Sequence, residues 1–419
     1  MTRFTSDDRI LPLHSHATNR RALLRAALGA GLFAGTPASL RAVLAADAAT
    51  SKRILVVLEL SGGNDGLNTL VPYHDDAYYR LRPKIALREN TLRKIDDRFG
   101  FSPGMSGFEK LYKDGRMAVI HGCGYEQPSF SHFTSMAYWH TGAPNSGEPY
   151  GWMGRLADAI DPRLTPNFLV NVDEAQSLAV RAQRHVPVVF DDPARFARKG
   201  LYQGRALLDQ AGEATGESGH DDGNPARRLL RDVARSARDA SQEVRQAWTN
   251  YRTPVDYGVV PLDLPKIASL VAADFPARLY YTAYRHNAFD THVQQADQHP
   301  RLLTYVADSV AGFMRDMERI GRADDVTLLV FSEFGRRAAE NTNLGTDHGT
   351  ANHTYLIGKP VKGGHYGTPS DLMRLDEGGN LIHTTDFRRV YATVAQGWLE
   401  LPASVPLFNG TYEPFPVFG

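Results

Sequence analysis

Continuous apolar runs, rather than alternating ones, recur along this chain. Residues 53–60 (RILVVLEL) are mostly β-branched residues and leucine, and residues 326–331 repeat that composition. Runs of this kind are typical of strands that are buried on both faces, as in parallel sheets. The same reasoning predicts further strands at 117–121, 168–172, 186–190, 278–284 and 355–357.

Stretches with helical character lie between these runs, at 107–113, 133–139, 152–160, 227–250, 301–320 and 386–399. Strands that alternate with helices favour an α/β fold, with a mostly parallel sheet that is covered on both faces. Residues 211–224 are poor in apolar groups and rich in turn formers, and the helix after them is rich in arginine. We therefore interpret 191–262 as a loop and helical cap inserted into the domain.

The start of the chain predicts export. Residues 19–24 read Asn-Arg-Arg-Ala-Leu-Leu, an apolar run of small residues follows at 26–40, and alanine is frequent at 42–49. This order is typical of a twin-arginine signal peptide, here residues 1–46, with a mature domain at 47–419. It predicts the twin-arginine export machinery as a partner, a periplasmic or secreted location, and no membrane span after cleavage.

Composition excludes several classes of function. The chain has 47 basic and 47 acidic side chains, and the first 46 residues carry six Arg and two Asp, so the remainder is slightly acidic. Nothing in this balance favours binding to nucleic acid. Because Cys123 is the single cysteine, an internal disulfide and a zinc site made of thiolates are both excluded.

Metal-binding residue types follow the predicted strands. Asp65 comes after the first strand, Asp290 and His292 come after the 278–284 strand, and Glu333 comes after the 326–331 strand. In parallel sheets, ligands bind outside the carboxyl ends of the strands, so these side chains are predicted to converge. The last member is the segment 345–353, which contributes Asp347, His348 and His353. Carboxylates and imidazoles together suit one or two divalent ions: Zn, Mn or Mg.

Each position also has a structural interpretation. Asp65 can cap its own turn, and Asn68 can then take its place at the edge of the sheet. Asp290 can cap a helix. Glu333 can form an ion pair with Arg336 or Arg337. These arginines can instead bind an anionic substrate in two-pronged geometry. The candidates for substrate binding are Asn68, His132, Arg336 and Arg337.

A nucleophile is predicted just before the 133–139 helix. Residues 127–133 read Gln-Pro-Ser-Phe-Ser-His-Phe, which can place a serine at the amino end of that helix. Unpaired amides and the helix dipole stabilise an anion there. Ser131 is the first candidate and Ser129 the second, while an ordinary N-cap is the structural alternative.

Five motifs give the chain a family resemblance. They are 61–69, 131–142, 289–292, 332–336 and 345–349, in that order. From about residue 53 to the end, the chain resembles the exported twin-arginine proteins called domain of unknown function 1501. That family resembles the alkaline phosphatase superfamily, whose members share a three-layer α/β/α sandwich and a two-metal site.

The resemblance implies roles for individual residues. Asp65 would be the metal carboxylate after the first strand, and Ser131 the nucleophile. Asp290 and His292 would hold one metal, Glu333 would be the late-strand carboxylate, and the closing histidine would be His348 or His353.

The chain also departs from the superfamily pattern. Glu333-Phe334-Gly335 stands where that superfamily usually has Asp-His-Gly, a triplet found here at 347–349, and this departure bears on the second metal. The formylglycine pattern of sulfatases is absent after Cys123. We expect an exported metal-dependent hydrolase that acts on small anionic phosphate or related esters. The alternative is a non-catalytic envelope protein that keeps the fold and binds or scaffolds.

Overall fold

The computed structural model describes residues 52–196 and 239–419. The predicted signal peptide at 1–46 and residues 197–238 of the predicted insertion lie outside these ranges, as does the first half of the predicted 227–250 helix. The remaining part of that helix, residues 239–250, is helical.

A central sheet of nine strands organises the described part of the chain. Its order is β11-β5-β10-β9-β1-β8-β6-β7, with β12 paired to β5, and a small second sheet has the order β2-β4-β3. All seven strands predicted from the apolar runs belong to the central sheet. The strands are β1 (Ile54–Leu60), β2 (Leu70–Val71), β3 (Arg93–Lys94), β4 (Gly100–Phe101), β5 (Met117–Gly124), β6 (Leu169–Val172), β7 (Val188–Phe190), β8 (Leu279–Tyr284), β9 (Val326–Phe331), β10 (Asn352–Ile357), β11 (Gly364–Tyr366) and β12 (Thr385–Asp386).

The helices differ more from the predictions than the strands do. One helix at 264–272 was not predicted, and the long helix expected to begin at 301 begins at Gln295 and runs through Pro300. The helices are α1 (Gly66–Thr69), α2 (Asp76–Leu81), α3 (Ser106–Lys113), α4 (His132–Thr141), α5 (Trp152–Ile160), α6 (Leu264–Ala272), α7 (Gln295–Arg319) and α8 (Arg388–Ala392), which continues as a π-helix over Thr393–Trp398.

The two faces of β1 enter two different cores. Ile54, Val56 and Leu58 pack on one face with α6 and α7, whereas Leu55 and Val57 pack on the other face with α4 and α5. Successive side chains of a strand point to opposite faces, so an unbroken apolar run serves both layers. Each fully buried side chain of this kind stabilises the fold by about 1.5–3 kcal/mol. The prediction of an α/β fold with three layers is thereby confirmed.

One strand runs against the others. β10 is antiparallel to both β5 and β9, whereas the other pairings in the central sheet are parallel. The loop that precedes β10 therefore lies at the same edge as the loops that follow β1, β5, β8 and β9. This reversal brings residues 345–351 to the edge where the other polar loops meet.

Among the described helices, none combines the length and the apolar composition that a membrane span requires.

Candidate metal centre

Three side chains from distant segments converge at this edge. His132 begins α4, Asp290 lies in the loop after β8, and His348 lies in the loop before β10; their ligand atoms all lie within 4.8 Å of one another. His132 Nε2 is 3.4 Å from Asp290 Oδ2, and His348 Nε2 is 3.2 Å from Asp290 Oδ1. Ligands of a tetrahedral ion with bonds near 2.0–2.1 Å lie about 3.4 Å apart, so the spacing fits one ion.

The hydrogen bonds of the two histidines at Nδ1 leave the Nε2 atom of each ring facing Asp290. Nδ1 of His132 is 2.7 Å from Glu333 Oε1, and Nδ1 of His348 is 2.6 Å from the Phe130 carbonyl oxygen. Both oxygens accept, so both Nδ1 atoms donate and the lone pair of each neutral ring sits on Nε2. His132 Nε2 is buried with no hydrogen-bond partner. Carboxylate and carbonyl partners of this kind orient metal-binding histidines.

His292 brings a third imidazole to the group. Its Nε2 lies 3.0 Å from Asp290 Oδ1 and 2.9 Å from His348 Nε2, while its Nδ1 lies 3.3 Å from Asp347 Oδ1. Asn341 Nδ2 also donates to Asp347 Oδ1, at 3.0 Å. Two imidazole nitrogens at 2.9 Å repel each other if both present lone pairs, so a proton or a metal ion between them stabilises the arrangement.

The electrostatics favour a cation here. Burial raises the pKa of Asp290, but the hydrogen bond and charge of Arg336 outweigh burial and hold that pKa below its usual value. Burial lowers the pKa of His132, but the bond and charge of Glu333 and the charge of Asp290 outweigh it and raise that pKa. Burial lowers the pKa of His348, which keeps a neutral ring available to a metal.

Asp65 was predicted as a metal ligand, and its surroundings do not fit that role. Its carboxylate is buried, its Oδ2 accepts from Arg82 Nη1 at 2.6 Å and from Gln295 Nε2, and its Oδ1 accepts from Leu67 N. Burial raises the pKa of Asp65, but Arg82 outweighs burial and the pKa is lowered. The carboxylate is an N-cap inside a buried ion pair, because Arg82 already supplies its counter-charge.

Two predicted substrate-binding residues are also enclosed by the protein. Asn68 is buried, its Oδ1 accepts from Tyr78 and Arg82, and its Nδ2 donates to the Ile85 carbonyl. The Arg336 guanidinium is buried and donates to Asp290 at 2.6 Å. It also donates to the carbonyls of Gly62, Gly63, Phe289 and Thr346. These residues shape the edge of the sheet and leave the exposed Arg337 as the arginine available to an anion.

Three other residues have places that differ from the predicted ones. Glu333 accepts from His132 and from Gly62 N, so it orients a ligand instead of being one. His132, predicted to bind substrate, belongs to the group that can hold an ion. His353 lies apart from that group, with its ring 5.0 Å from that of His121. Sequence reasoning could not assign His132, because a histidine beside an N-cap has no local signal for metal binding.

The predicted serines lie directly beside this group in the chain. Ser131 is the N-cap of α4, its hydroxyl makes no capping hydrogen bond, and it is exposed. Ser129 Oγ accepts from Ser131 N at 3.2 Å. His140, further along the same helix, turns elsewhere and lies 2.6 Å from the buried Glu59.

The donor set fits one divalent ion better than two. The imidazoles of His132, His292 and His348 with the Asp290 carboxylate are a ligand set that suits Zn²⁺. Asp65, which the resemblance implies as a further metal carboxylate, is held by Arg82. Across residues 52–196 and 239–419, one group of three or more such ligands is close enough to share an ion.

A family model matches part of the chain. Residues 277–393 match the family described as "Protein of unknown function (DUF1501)". The resemblance predicted from about residue 53 to the end is confirmed over this segment. This DUF1501 segment contains β8, α7, β9 and β10, and with them Asp290, His292 and His348. His132 and Ser131 lie outside it, so the candidate centre joins the DUF1501 segment to α4. No curated protein matches the chain.

Solved structures offer distant likenesses. The C-terminal periplasmic domain of EcEptC from Escherichia coli, in complex with Zn, is 11% identical, with 75% of each chain covered and a TM-score of 0.33. The PsFucS1 sulfatase from Pseudoalteromonas sp. is 11% identical, with 91% of this chain and 75% of that chain covered and a TM-score of 0.37. A protein in the alkaline phosphatase superfamily from Vibrio parahaemolyticus is 11% identical, with 75% and 62% covered and a TM-score of 0.32. At these scores the likenesses do not decide an activity.

Proposed function

We propose that this protein is an exported metal-dependent hydrolase of phosphate or related esters. The observation that carries the proposal is the convergence of His132 Nε2, His348 Nε2 and the Asp290 carboxylate from three distant segments. The predicted signal peptide supports the exported location.

His132, Asp290 and His348 would hold the ion, with His292 as a further ligand. When bound there, a divalent ion would supply Lewis-acid chemistry, polarising an ester and stabilising the charge that develops on the attacked group. Glu333 and the Phe130 carbonyl keep the ligand nitrogens oriented, through bonds of 2.7 and 2.6 Å.

Ser131 supplies the nucleophile in this proposal. Its hydroxyl is exposed at the start of the ten-residue helix α4, where unpaired amides favour an oxyanion. The Ser131 oxygen forms a bond to the phosphorus or sulfur of the ester, the bond to the leaving alcohol breaks, and the hydroxyl proton leaves with that alcohol. Water then hydrolyses the seryl ester and restores the serine. Arg337, exposed beside Asp347, is placed to attract the anionic substrate.

The first experiment is a metal analysis of the purified chain followed by a screen of p-nitrophenyl phosphate, bis-p-nitrophenyl phosphate and p-nitrophenyl sulfate. We expect hydrolysis of at least one ester, a loss of about 10⁴-fold or more in kcat for Ser131→Ala, and an unchanged metal content in that variant. Ser129→Ala serves as the neighbouring control and should retain most of the activity.

His348→Ala should lose both the metal and the hydrolysis. Unchanged turnover in Ser131→Ala would remove that serine from the mechanism. A wild-type chain that binds no metal at this centre would instead favour a non-catalytic envelope protein.

A further inference from the structure

A second group of histidines lies on the sheet, on strands that the proposed function does not use. His121 is on β5, His353 on β10 and His365 on β11. The rings of His121 and His365 are stacked with centroids 4.9 Å apart, and the His353 ring is edge-on to that of His121 at 5.0 Å. Phe99 packs against His121 and His365, at 5.1 and 5.3 Å. We call these three histidines the β5 histidine cluster.

A chain of hydrogen bonds fixes which nitrogen of His121 carries the proton. Asp96 Oδ1 accepts from the backbone N of Arg98 and of Phe99, each at 2.7 Å. Asp96 Oδ2 then accepts from His365 Nε2 at 2.8 Å. His365 Nδ1 therefore carries a lone pair and accepts from His121 Nε2 at 2.7 Å. The consequence is a lone pair on His121 Nδ1.

That lone pair meets no hydrogen-bond donor in the part of the chain that the structure describes. His121 is fully buried, and its Nδ1 and that of His353 are both buried without a hydrogen-bond partner. Leaving a buried polar atom unpaired costs about 1–3 kcal/mol, and such atoms are usually explained by an ion or a water. Burial lowers the pKa of His121 to about 2 and that of His353 to about 4, so both rings are neutral, which is the form that binds a metal.

The backbone places the two rings together. β10 pairs with β5 with a register shift between Asn352 and Thr354, so His353 sits at a bulge opposite β5. Bulges re-aim side chains and are frequent next to functional sites. Two imidazoles that share a tetrahedral ion have ring centres roughly 5 Å apart, because each centre lies about 3.2 Å from the ion. The measured spacing of 5.0 Å between His121 and His353 meets that requirement.

A cavity adjoins His353, one member of the pair. His353, Phe99, Arg98 and Gly122 are among the residues that line a cavity of about 320 Å³. A cavity of this size leaves room for solvent or a small ligand to complete the coordination of an ion.

We propose that His121 and His353 bind a transition metal ion through their Nδ1 atoms, in a site separate from the His132–Asp290–His348 centre. Paired imidazoles select Zn²⁺ or Cu²⁺ over Mg²⁺. His365 and Asp96 act as positioning residues, since their hydrogen bonds orient the His121 ring. The site stands independently of the hydrolase proposal, because the two share no residue.

The test is equilibrium dialysis of the metal-free full chain against ZnCl₂ or CuCl₂, with the bound metal measured by atomic absorption. We expect two equivalents in the wild type, one in His121→Phe, one in His348→Ala and none in the double variant. Phenylalanine preserves the aromatic packing beside Phe99 while removing both nitrogens, and circular dichroism verifies that the variant folds.

Two further variants keep the proposal testable if His121→Phe does not fold. His353→Phe should also lose one equivalent, and His365→Gln should weaken one site about 10- to 100-fold without removing it. The proposal is overturned if His121→Phe and His353→Phe both retain two equivalents, or if the wild type binds a single ion that His348→Ala removes. If the wild type binds one ion only, and that ion persists in His348→Ala and disappears in His121→Phe, the result supports this site and counts against the hydrolase centre.

Discussion

Arg82 forms a buried ion pair with Asp65, the carboxylate that sequence reasoning placed first in the metal centre. The Arg82 and Asp65 side chains are 0% and 1% exposed, and Arg82 also donates to the carbonyls of Ala338 and Arg337. One guanidinium thus joins the loop after β1 to the segment that follows Glu333. This ion pair stabilises the fold beside the candidate centre and supplies no ligand to it.

Asp65→Asn should therefore reduce stability and leave metal binding intact. Breaking a buried ion pair by removing one charge costs about 3–5 kcal/mol, because the other charge stays buried and unpaired. Urea unfolding of the metal-free protein measures that loss, and dialysis measures the metal stoichiometry. Lys359→Ala, which breaks the exposed pair with Asp324, is the control and should leave the free energy of unfolding almost unchanged. An Asp65→Asn variant of wild-type stability that loses its metal would return Asp65 to the ligand set.

Local sequence could not reveal this pairing. Arg82 lies in an ordinary polar stretch, and nothing in its neighbours indicates burial. The residue types at 290, 292 and 348 were informative because aspartate and histidine side by side after an apolar strand are costly to bury without a partner. The role of each residue within the group depends on contacts between distant segments, so those roles could be assigned only from the fold.

At the scale of elements, the turn after β1 holds an aromatic ring against the histidines. A Cβ added at Gly63, where φ is +67°, would lie 2.1 Å from the Phe334 ring. That ring packs against His132 at 4.9 Å and against His348 at 4.8 Å. The absence of a side chain at Gly63 therefore sets the position of both candidate ligands.

Gly63→Ala should weaken metal binding at the centre as well as stability. The new methyl group pushes Phe334 toward the two imidazoles, and we expect roughly a tenfold or greater loss of zinc affinity, the scale at which neighbours of metal ligands act. Gly115→Ala is a matched control, because Gly115 has a similar φ of +71° and nothing within 4 Å of an added Cβ. Calorimetry of both variants separates backbone strain from displacement of the ring; equal affinities would show that Phe334 does not position the histidines.

A second element-scale feature ties α5 to the segment before β7. The buried His185 lies 2.8 Å from Asp158 Oδ1 through Nδ1 and 3.1 Å from Asp161 Oδ2 through Nε2. Burial lowers the pKa of His185, but the bonds and charges of the two aspartates outweigh it and raise that pKa. Burial raises the pKa of Asp161, but the bonds from His185 and Thr165 outweigh it and lower that pKa.

The signs of these shifts define a pH window. The stability from His185 is fully present below its ordinary pKa of 6.5 and is lost as pH rises through the raised pKa. The stability from Asp161 is present above its ordinary 3.8 and is lost as pH falls through the lowered pKa. The substitution His185→Gln should thus lower the free energy of unfolding most between about pH 4 and pH 6.5. Urea unfolding of variant and wild type at pH 6 and pH 9 checks this, and a cost that grows toward pH 9 would contradict it.

At the scale of the whole molecule, a metal ion would connect parts of the chain that are far apart in sequence. His132, Asp290 and His348 come from three segments, so an ion that they share binds the folded chain and not the unfolded one. A ligand at 100 times its Kd adds about 2.7 kcal/mol to the free energy of unfolding. We therefore expect ZnCl₂ to raise the urea concentration at the unfolding midpoint, and we expect EDTA to reverse that rise.

His348→Ala supplies the comparison for this prediction. The zinc-dependent gain in that variant should be smaller than in the wild type by about the same 2.7 kcal/mol at matched zinc concentration. MgCl₂ should have a weaker effect on both proteins, because imidazole ligands suit zinc better than magnesium. Identical gains in variant and wild type would mean that His348 holds no ion.

Sequence predicted the sheet well because its strands are buried on both sides, and unbroken apolar runs such as 326–331 follow directly from that burial. The direction of β10 left no such trace, since an antiparallel strand in the middle of a parallel sheet has the same composition as its neighbours. The start of the long helix was predicted wrongly, at 301. A proline usually marks a helix boundary, but this helix begins at Gln295 and continues through Pro300.

The pairing of β5 has a consequence for synthesis on the ribosome. In the described part of the chain β5 pairs with β10, β11 and β12, which are translated about 230 to 260 residues later, β10 first. At 5–20 residues per second, its apolar Met-Ala-Val-Ile stretch waits roughly 10 to 45 s for a partner. A nascent chain released before Asn352 would present an unpaired, aggregation-prone strand, and a holding chaperone that recognises such a strand would find it at β5.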